Sequence, residues 1–533
     1  MITNFNLFKF SKEFFVYILF FLVLYFYFFI SNTYFNLFNL FIILLFCQLL
    51  LFFFYYKKNN YNLLHKYITD ISQCQFILSI IFGLCLYDSL NLDISNKQYY
   101  FYNMYFFFPI LSADNPILIS FKIDLISFFF FILTNLFIYL CLISISKEQE
   151  FFKETLFFLI FLQWGLLLAF ITVDILGFFI FFESTLIPIF FIVLLLGSRE
   201  RRIRASYLIS IYTLFGSIFM LFTILYLYNK IGTSSYLVLS TIDFSLTDQY
   251  WLWLFFFLAF AAKIPTFPLH IWLPEAHVEA PTIGSVLLAA LLLKLGTYGL
   301  IRFGIFLFPY GTINFSAFVS LLAMISIVYT SMIAIRQIDL KKIIAYSSVG
   351  HMNVVLLGII LINVDNLEGA IFQMLSHGVV SGALFFCVGA LYKRYKVRSL
   401  KYFGGLMQTN PLLCVMFLIF FMGNISFPGT SSFVGEFVLF MGMFNYTSTL
   451  VFIAATSMVL GAIYSLWTFN RLSFGNLRNL TLRNHTDLNK NEIYIFAVLL
   501  YFLFLLGLQP SIIFENLHFE CLNIIEHIKL QII

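Results

Sequence analysis

The chain has 533 residues, of which 62% are hydrophobic and only 10% are charged. A soluble globular protein carries about 25% charged residues, so this composition excludes that class and indicates a membrane protein. The formal net charge of +5 lies in the loops between apolar runs, where it reports orientation in the membrane and does not indicate nucleic-acid binding.

Apolar runs recur from one end of the chain to the other. A helix needs roughly twenty apolar residues to span a bilayer, and about fifteen runs approach that length. They predict an all-α, polytopic membrane protein, followed by an amphipathic tail, SIIFENLHFECLNIIEHIKLQII, that we expect on the membrane surface or on a partner. In chain order the runs lie near Phe14–Ile30, Phe35–Tyr56, Gln75–Tyr87, Ile119–Ile145, Thr155–Ile171, Leu176–Leu196, Ala205–Tyr228, Tyr250–Pro268, Ile283–Phe303, Phe315–Ile335, Ile343–Ile362, Gly369–Tyr392, Pro411–Tyr446 (interrupted), Leu450–Asn470 and Ile493–Leu508.

Basic residues concentrate in alternate loops. Lys and Arg occur in YYKKNN, SKEQEFFKE, SRERRIR, RQIDLKK, YKRYKVRSLK and NRLSFGNLRNLTLRNHTDLNK, whereas SNTY, TVDI, NVDNLE and NYTST nearly lack them. With the runs above, every basic loop falls on one side, together with Lys9 and Lys12 near the N-terminus. The positive-inside rule predicts that this side is the matrix or the cytoplasm, and the consistent alternation supports the number of runs.

Four charged residues lie deep in apolar sequence: Glu183, Lys263, Lys294 and Glu436. Placing one such residue at the centre of a membrane helix costs about 2.5–3.5 kcal/mol on translocon scales. One interpretation is that they form structural ion pairs that fix helix packing. The other is a proton or ion path, because ionisable groups inside a membrane mark functional sites by default.

Two histidines also lie within predicted spans, His351 in AYSSVGHMNVVLL and His377 in FQMLSHGVVSGALFF. A lone buried histidine is more often a hydrogen-bonded packing residue than a proton relay. Each of these is flanked by Ser and Gly, which leave room for water, so a relay role is also open.

Prolines interrupt two spans, at KIPTFP after Lys263 and at NISFPGTSSF before Glu436. Proline removes an amide donor and frees a carbonyl, which must be satisfied by protein or water inside a membrane. Interrupted helices beside charged residues are typical of ion sites in transporters. One such feature in each half of the chain also indicates an internal repeat.

The segment HIWLPEAHVEAP contains His270, Glu275, His277 and Glu279, but its spacing matches no zinc signature. We therefore expect no metal site, and we interpret the segment as a polar turn at the mouth of a proton path. The seven cysteines form no CxxC pair, which argues against a thiolate metal site or redox dithiol. Motifs for a dinucleotide or ATP are also absent.

Several of these segments together resemble the antiporter-like subunits of respiratory NADH:ubiquinone oxidoreductase, complex I. The resemblance rests on FAAKIPTFPLHIWLPEAHVEAPTIGSVLLAALLLKLGTYGLIRF, with FFESTLIPIF, DLKKIIAYSSVGHM, FQMLSHGVVSGALFF and FPGTSSFVGEF in the same order, over about residues 124–471. Within that family the chain is most similar to the chain 4 group, called subunit M in bacteria, because Glu436 is acidic where the sister groups carry lysine.

The resemblance implies a bundle of about fourteen core helices with two inverted five-helix repeats and two broken helices. It implies that Glu183 pairs with Lys263, that Lys294 is the central lysine, and that His351 and His377 connect Lys294 to Glu436. The chain departs from the family pattern in its extra N-terminal span. We expect four segments: 1–118 with the N-terminal spans, 119–303 and 304–471 as the two halves of the core, and 472–533 with the basic loop, last span and amphipathic tail.

The resemblance also implies a function, a proton-translocating membrane-arm subunit of complex I. No cofactor is expected in this chain, because FMN, iron–sulfur clusters and quinone would be held by partner subunits. The expected partners are the other membrane-arm subunits, including sister antiporter-like subunits, and lipids such as cardiolipin. The 75 Phe and 31 Tyr are typical of an AT-rich organellar gene, so we expect the mitochondrial inner membrane, with the N-terminus and basic loops in the matrix.

Two other functions fit part of the sequence. A multi-subunit cation/proton antiporter shares these motifs, although Glu436 and the composition argue against it. A structural membrane scaffold would use the buried charges only to lock helices together. Co-purification with flavin and iron–sulfur polypeptides would separate the first alternative, and neutral substitutions of the buried charges would separate the second.

Overall fold

The computed structural model describes residues 33–56, 61–92, 104–107, 118–145, 151–197, 199–476 and 486–532. The predicted span Phe14–Ile30, with Lys9 and Lys12, lies outside the described residues. The chain divides into two compact units, Met1–Tyr102 and Asn103–Ile533. In the first unit, α1 (Thr33–Tyr56) packs against α2 (Tyr61–Leu92), and the buried amide of Gln48 donates to Gln75 at 2.9 Å.

Among its described residues, the second unit is helical apart from two antiparallel strands that pair with each other, β1 (Met104–Phe107) and β2 (Leu118–Phe121). In chain order its α-helices are α3 (Leu125–Ser144), α4 (Phe152–Ile171), α5 (Ile175–Ser184), α6 (Leu186–Leu196), α7 (Arg202–Ile231), α8 (Tyr236–Leu239), α9 (Leu246–Lys263), α10 (Trp272–Glu279), α11 (Thr282–Leu287), α12 (Leu293–Gly299), α13 (Pro309–Arg336), α14 (Leu340–Ile360), α15 (Val364–Tyr395), α16 (Leu406–Thr409), α17 (Pro411–Asn424), α18 (Ser431–Phe444), α19 (Ser448–Ser473), α20 (Lys490–Leu508) and α21 (Ser511–Ile532). Short 3₁₀ turns occupy Leu269–Ile271 and Leu400–Tyr402, and π-helical segments occupy Leu288–Leu292 and Leu300–Ile305.

The predicted helical membrane architecture is confirmed. Each of the fourteen runs predicted after the first coincides with a helix or with two helix halves, and ten helices among the described residues are long and apolar enough to cross a membrane. The short third run is the apolar part of the much longer α2. Hydropathy detects only the apolar portion of a helix, so the polar N-terminal part of α2 was not predicted. The start of the fourth run is strand β2, which the sequence did not indicate.

Both predicted helix breaks are present. The first separates α9 from α10 and the second separates α17 from α18. The predicted polar turn at HIWLPEAHVEAP was wrong, since the segment forms a 3₁₀ turn and then α10, most of which is buried. Trp272 and Leu273 are fully enclosed, and the indole of Trp272 donates to the carbonyl of Ala262 at 2.9 Å. Packing of these apolar residues favours a helix despite the polar residues between them.

The amphipathic tail forms α21, but the surface that it covers belongs to this chain. Glu520 accepts hydrogen bonds from the amides of Leu125 (2.6 Å) and Ile126 (3.1 Å) at the first turn of α3. His518 contacts Glu368 of α15 at 2.7 Å. The predicted helix is therefore correct, whereas docking on a separate partner is not required to cover its buried face.

Candidate functional site

The most buried part of the second unit is built from α11, α12, α14 and α15. Lys294 lies in α12, which is flanked on both sides by π-helical segments. A π turn inserts one extra residue and shifts a carbonyl out of the usual hydrogen-bond ladder, and such turns are frequent at functional sites. Here the Lys294 ammonium donates to the carbonyl of Ala289, five residues earlier, at 2.6 Å.

Lys294 is the first member of a connected series of buried polar groups. Its Nζ atom lies 2.9 Å from Nδ1 of His377 on α15. The ring of His377 lies 5.8 Å, centre to centre, from the ring of His351 on α14. Nδ1 of His351 lies 2.8 Å from Oε1 of Glu436 on α18. The structure therefore brings together four of the six residues that the sequence singled out.

The orientation of the two imidazole rings matters for transfer. Each ring uses Nδ1 for its contact, His377 toward Lys294 and His351 toward Glu436. The Nε2 atom of each ring has no hydrogen-bond partner among the described residues. A proton accepted at one nitrogen of an imidazole can leave from the other, so each ring has one nitrogen engaged and one available.

Gln373 is part of the site and was not predicted. Its amide donates to Oε1 of Glu436 at 3.0 Å, and its own oxygen accepts from Ser376 at 3.0 Å. It precedes His377 by one helical turn in FQMLSHG, so a buried amide on the same helix face was the available signal. Gly435 allows this contact, since a Cβ atom there would lie 2.5 Å from Oε1 of Gln373.

The break between α9 and α10 is satisfied by protein groups. The freed carbonyl of Pro265 accepts from the amide of Asn353 on α14 at 3.3 Å, and the carbonyl of Ala262 accepts from Trp272. At the second break, the hydroxyl of Ser432 donates to the carbonyl of Gly423. Inside a membrane such partners replace water. Asn353 therefore ties the first break directly to the helix that carries His351.

Lys263 on α9 and Glu183 on α5 lie outside the series that runs from Lys294 to Glu436. The Lys263 ammonium is buried and lies 4.5 Å from the centre of the Phe182 ring. Lys263 and Glu183 interact electrostatically, but no direct ion pair joins these two described side chains, unlike the close pair that the resemblance implied. Gly296 lets α12 approach α9, because a Cβ there would meet Cβ of Lys263 at 3.0 Å.

The four ionisable residues of HIWLPEAHVEAP have separate environments. Glu275 pairs with Lys342 at 3.0 Å. His277 stacks on Phe385 with ring centres 4.6 Å apart, while His270 and Glu279 are buried elsewhere. Among the residues that the structure describes, no group of three potential metal ligands converges.

Comparison with known proteins identifies the family. Residues 172–461 match the family model described as NADH:quinone oxidoreductase/Mrp antiporter, transmembrane. The chain is 48% identical to NADH-ubiquinone oxidoreductase chain 4 of Marchantia polymorpha, over 76% of this chain and 82% of the relative. It is 43% identical to the protein of the same name from Arabidopsis thaliana, over 86% and 92% of the two chains.

Solved structures agree with this assignment. A chain of respiratory complex I from Thermus thermophilus is 28% identical and superposes with a TM-score of 0.75, covering 86% of this chain and 94% of that one. A chain of the archaeal membrane-bound sulfane sulfur reductase has a TM-score of 0.81 at 19% identity, covering 92% and 99%, which shows a shared fold alone. The chain therefore belongs to the NADH-ubiquinone oxidoreductase chain 4 family, among the antiporter-like membrane subunits of complex I.

Proposed function

We propose that this membrane subunit of complex I translocates protons through Lys294, His377, His351 and Glu436. The observation that carries the proposal is the order of these groups across α12, α15, α14 and α18, with hydrogen-bond distances at both ends of the series and 5.8 Å between the two ring centres in the middle. Burying four ionisable groups in a membrane bundle is costly. Structural ion pairs alone do not account for two histidines that each engage one nitrogen and leave the other available.

The proton moves in three steps. The Lys294 ammonium gives a proton to Nδ1 of His377, which releases one from Nε2. The gap between the two rings is crossed by ring rotation or through a water molecule, and His351 accepts at Nε2. His351 then passes a proton from Nδ1 to Oε1 of Glu436, and the protonated carboxyl turns and releases that proton.

Lys263 and Glu183 control the charge on Lys294. A displacement of the Lys263 ammonium toward or away from Glu183 changes the field at Lys294, because α9 and α12 are in contact at Gly296. Movement of one charge against 100 mV requires about 2.3 kcal/mol, so the displacement must be driven from outside this chain.

The driving reaction belongs to other subunits. Electron transfer from NADH to quinone supplies the energy, and FMN, iron–sulfur clusters and quinone are bound by partner chains. The partners of this chain are the remaining membrane-arm subunits, including sister antiporter-like subunits, and anionic lipids such as cardiolipin. We place the chain in the mitochondrial inner membrane, with its basic loops in the matrix.

The test uses the intact complex reconstituted into lipid vesicles, with proton uptake and NADH oxidation measured together. Lys294→Met keeps the length of the side chain and removes its charge, so we expect fewer protons per NADH. Lys529→Met is the matched control, because Lys529 is exposed on α21. Normal assembly with an unchanged proton ratio in Lys294→Met would refute the relay and favour a structural role.

The same preparation separates the antiporter function. A cation/proton antiporter would exchange Na⁺ or K⁺ for protons without NADH and would not co-purify with flavin and iron–sulfur polypeptides. The chain 4 names of its relatives favour complex I.

A further inference from the structure

A cavity of about 320 Å³ lies where the loops SRERRIR, RQIDLKK and YKRYKVRSLK come together. Five of its lining residues are cationic, namely Arg202, Lys341, Lys393, Lys396 and Arg398, and none of its lining residues is acidic. Its volume falls at the lower end of the range for small-molecule sites, about 300–1,000 Å³. The lining selects for an anion.

Two of the five cations are buried, unlike ordinary surface lysines and arginines. Lys341 and Arg398 are 3% and 4% exposed. Lys341 donates to the carbonyl of Ala280 at 2.6 Å and the hydroxyl of Ser285 at 3.2 Å, and Arg398 donates to the carbonyl of Val278. These neutral partners hold the cations in place without cancelling their charge.

Two acidic groups interact electrostatically with the buried cations: Glu279 with both Lys341 and Arg398, and Asp339 with Arg398. These two carboxylates face five cationic lining residues, so the cavity keeps a positive excess. Burial and nearby Arg199 lower the pKa of Arg398, and Arg398 in turn repels the charge of Lys341, as expected for like charges held close together. A bound anion would relieve that repulsion.

One wall of the cavity is apolar. Phe151, Leu195 and Leu196 line it, and the neighbouring outer surface of α7 continues with Ile203 and Tyr207, which are 52% and 55% exposed. Apolar side chains contribute nothing to the binding of a small inorganic anion, which has no apolar surface to bury. An amphiphile with a negative headgroup and hydrocarbon chains matches both halves of the surface.

We propose that this cavity binds the phosphodiester headgroup of an anionic phospholipid, whose acyl chains lie along α6 and α7. The shared chemistry with free phosphate is the charged oxygen cluster, and the apolar wall favours the lipid. Lys393 and Lys396, which are exposed at the rim, hold the outer side of the headgroup, while Lys341 and Arg398 form the floor.

The experiment compares two double variants of the intact complex. Lys393→Gln/Lys396→Gln removes two rim charges. Arg201→Gln/Arg204→Gln removes two exposed charges from the same end of the bundle that do not line the cavity. Each complex is depleted of lipid and titrated with dioleoylphosphatidylglycerol, and bound lipid is counted by native mass spectrometry.

We expect one high-affinity phosphatidylglycerol site in the parent complex and the arginine double variant. In the lysine double variant the affinity should fall about thirtyfold, roughly fivefold for each lysine. Equal losses in both variants would show only a general surface charge and overturn the proposal. No loss in either would do so as well, and would point to a neighbouring subunit covering the cavity.

Two further probes distinguish the sources of the anion. Dioleoylphosphatidylcholine should not occupy the site, and its equal binding would overturn the role of charge. Inorganic phosphate should displace phosphatidylglycerol poorly. Displacement at equal concentration would mean that the cavity is a phosphate site and that the apolar wall contributes nothing, which contradicts the proposal.

Discussion

Replacing Glu436 by glutamine should block the last step of the proposed proton path while preserving the shape of the site. The carboxylate lies 2.8 Å from Nδ1 of His351 and 3.0 Å from the amide of Gln373. A glutamine of the same length can keep an oxygen toward Gln373. It cannot carry the negative charge that attracts a protonated His351.

The size of the effect follows from the charge separation. Two unit charges about 4 Å apart interact by about 4 kcal/mol at an effective dielectric constant of 20. Losing that attraction raises the barrier for charging His351 by up to the same amount, which is about a thousandfold in rate. Packing changes are small by comparison, since the two side chains are nearly isosteric.

The assay is NADH oxidation and proton uptake by the reconstituted complex. If every turnover requires this step, NADH oxidation falls with proton uptake; if not, protons per NADH fall while oxidation continues. Glu515→Gln makes the same chemical change at an exposed position of α21 and should behave as the parent. Full oxidation with an undiminished proton ratio in assembled Glu436→Gln complex would refute the reasoning.

Two further substitutions test the surroundings of the path, and a third tests a separate buried carboxyl. Gly435→Ala should destabilise the contact between α15 and α18 by about 1–3 kcal/mol, because the new Cβ would lie 2.5 Å from Oε1 of Gln373. The measurement is the unfolding temperature of the complex, which should fall. An unchanged unfolding temperature would contradict the close packing of Gly435 against Gln373. Gln373→Leu should slow pumping without preventing assembly, since it removes a hydrogen bond to Glu436; parent-like proton uptake would show that the amide is dispensable. Asp174 directly precedes α5. Burial raises its pKa from 3.8 to about 6, although hydrogen bonds from Ser120 act in the opposite direction. The folded state therefore binds more protons than the unfolded state between about pH 4 and 6, and its stability should fall as the pH rises through that window. Asp174→Asn should flatten that decline in a thermal unfolding series, and an identical slope in the variant would exclude this carboxyl as its source.

The sequence predicted the charged members of the site because each stands out against apolar neighbours. Lys294, His351, His377 and Glu436 are isolated polar residues in helical runs, and burial of such groups demands a partner. Their order along the path came from the family resemblance. The structure supplied the distances and showed which nitrogen of each ring is engaged.

Other features had no readable signal. The π-helical segments around Lys294 depend on the packing of α11 and α12 against several helices, and no local residue pattern specifies them. The helix α10 was missed because its alternating polar and apolar residues resemble a turn, although tertiary contacts of Trp272 decide its conformation. The environment of Lys263, over the Phe182 ring, likewise depends on how α5 approaches α9.

The contacts of α21 with α3 and α15 have a genetic consequence. A stop codon just after Leu508 would leave the spans that follow Asn103 and every residue of the proton path in the translated product. It would nevertheless delete Glu520, which binds the first amides of α3, and His518, which contacts α15. Such a frameshift or nonsense allele is expected to act as a loss-of-function mutation through assembly, even though it alters no group that carries a proton.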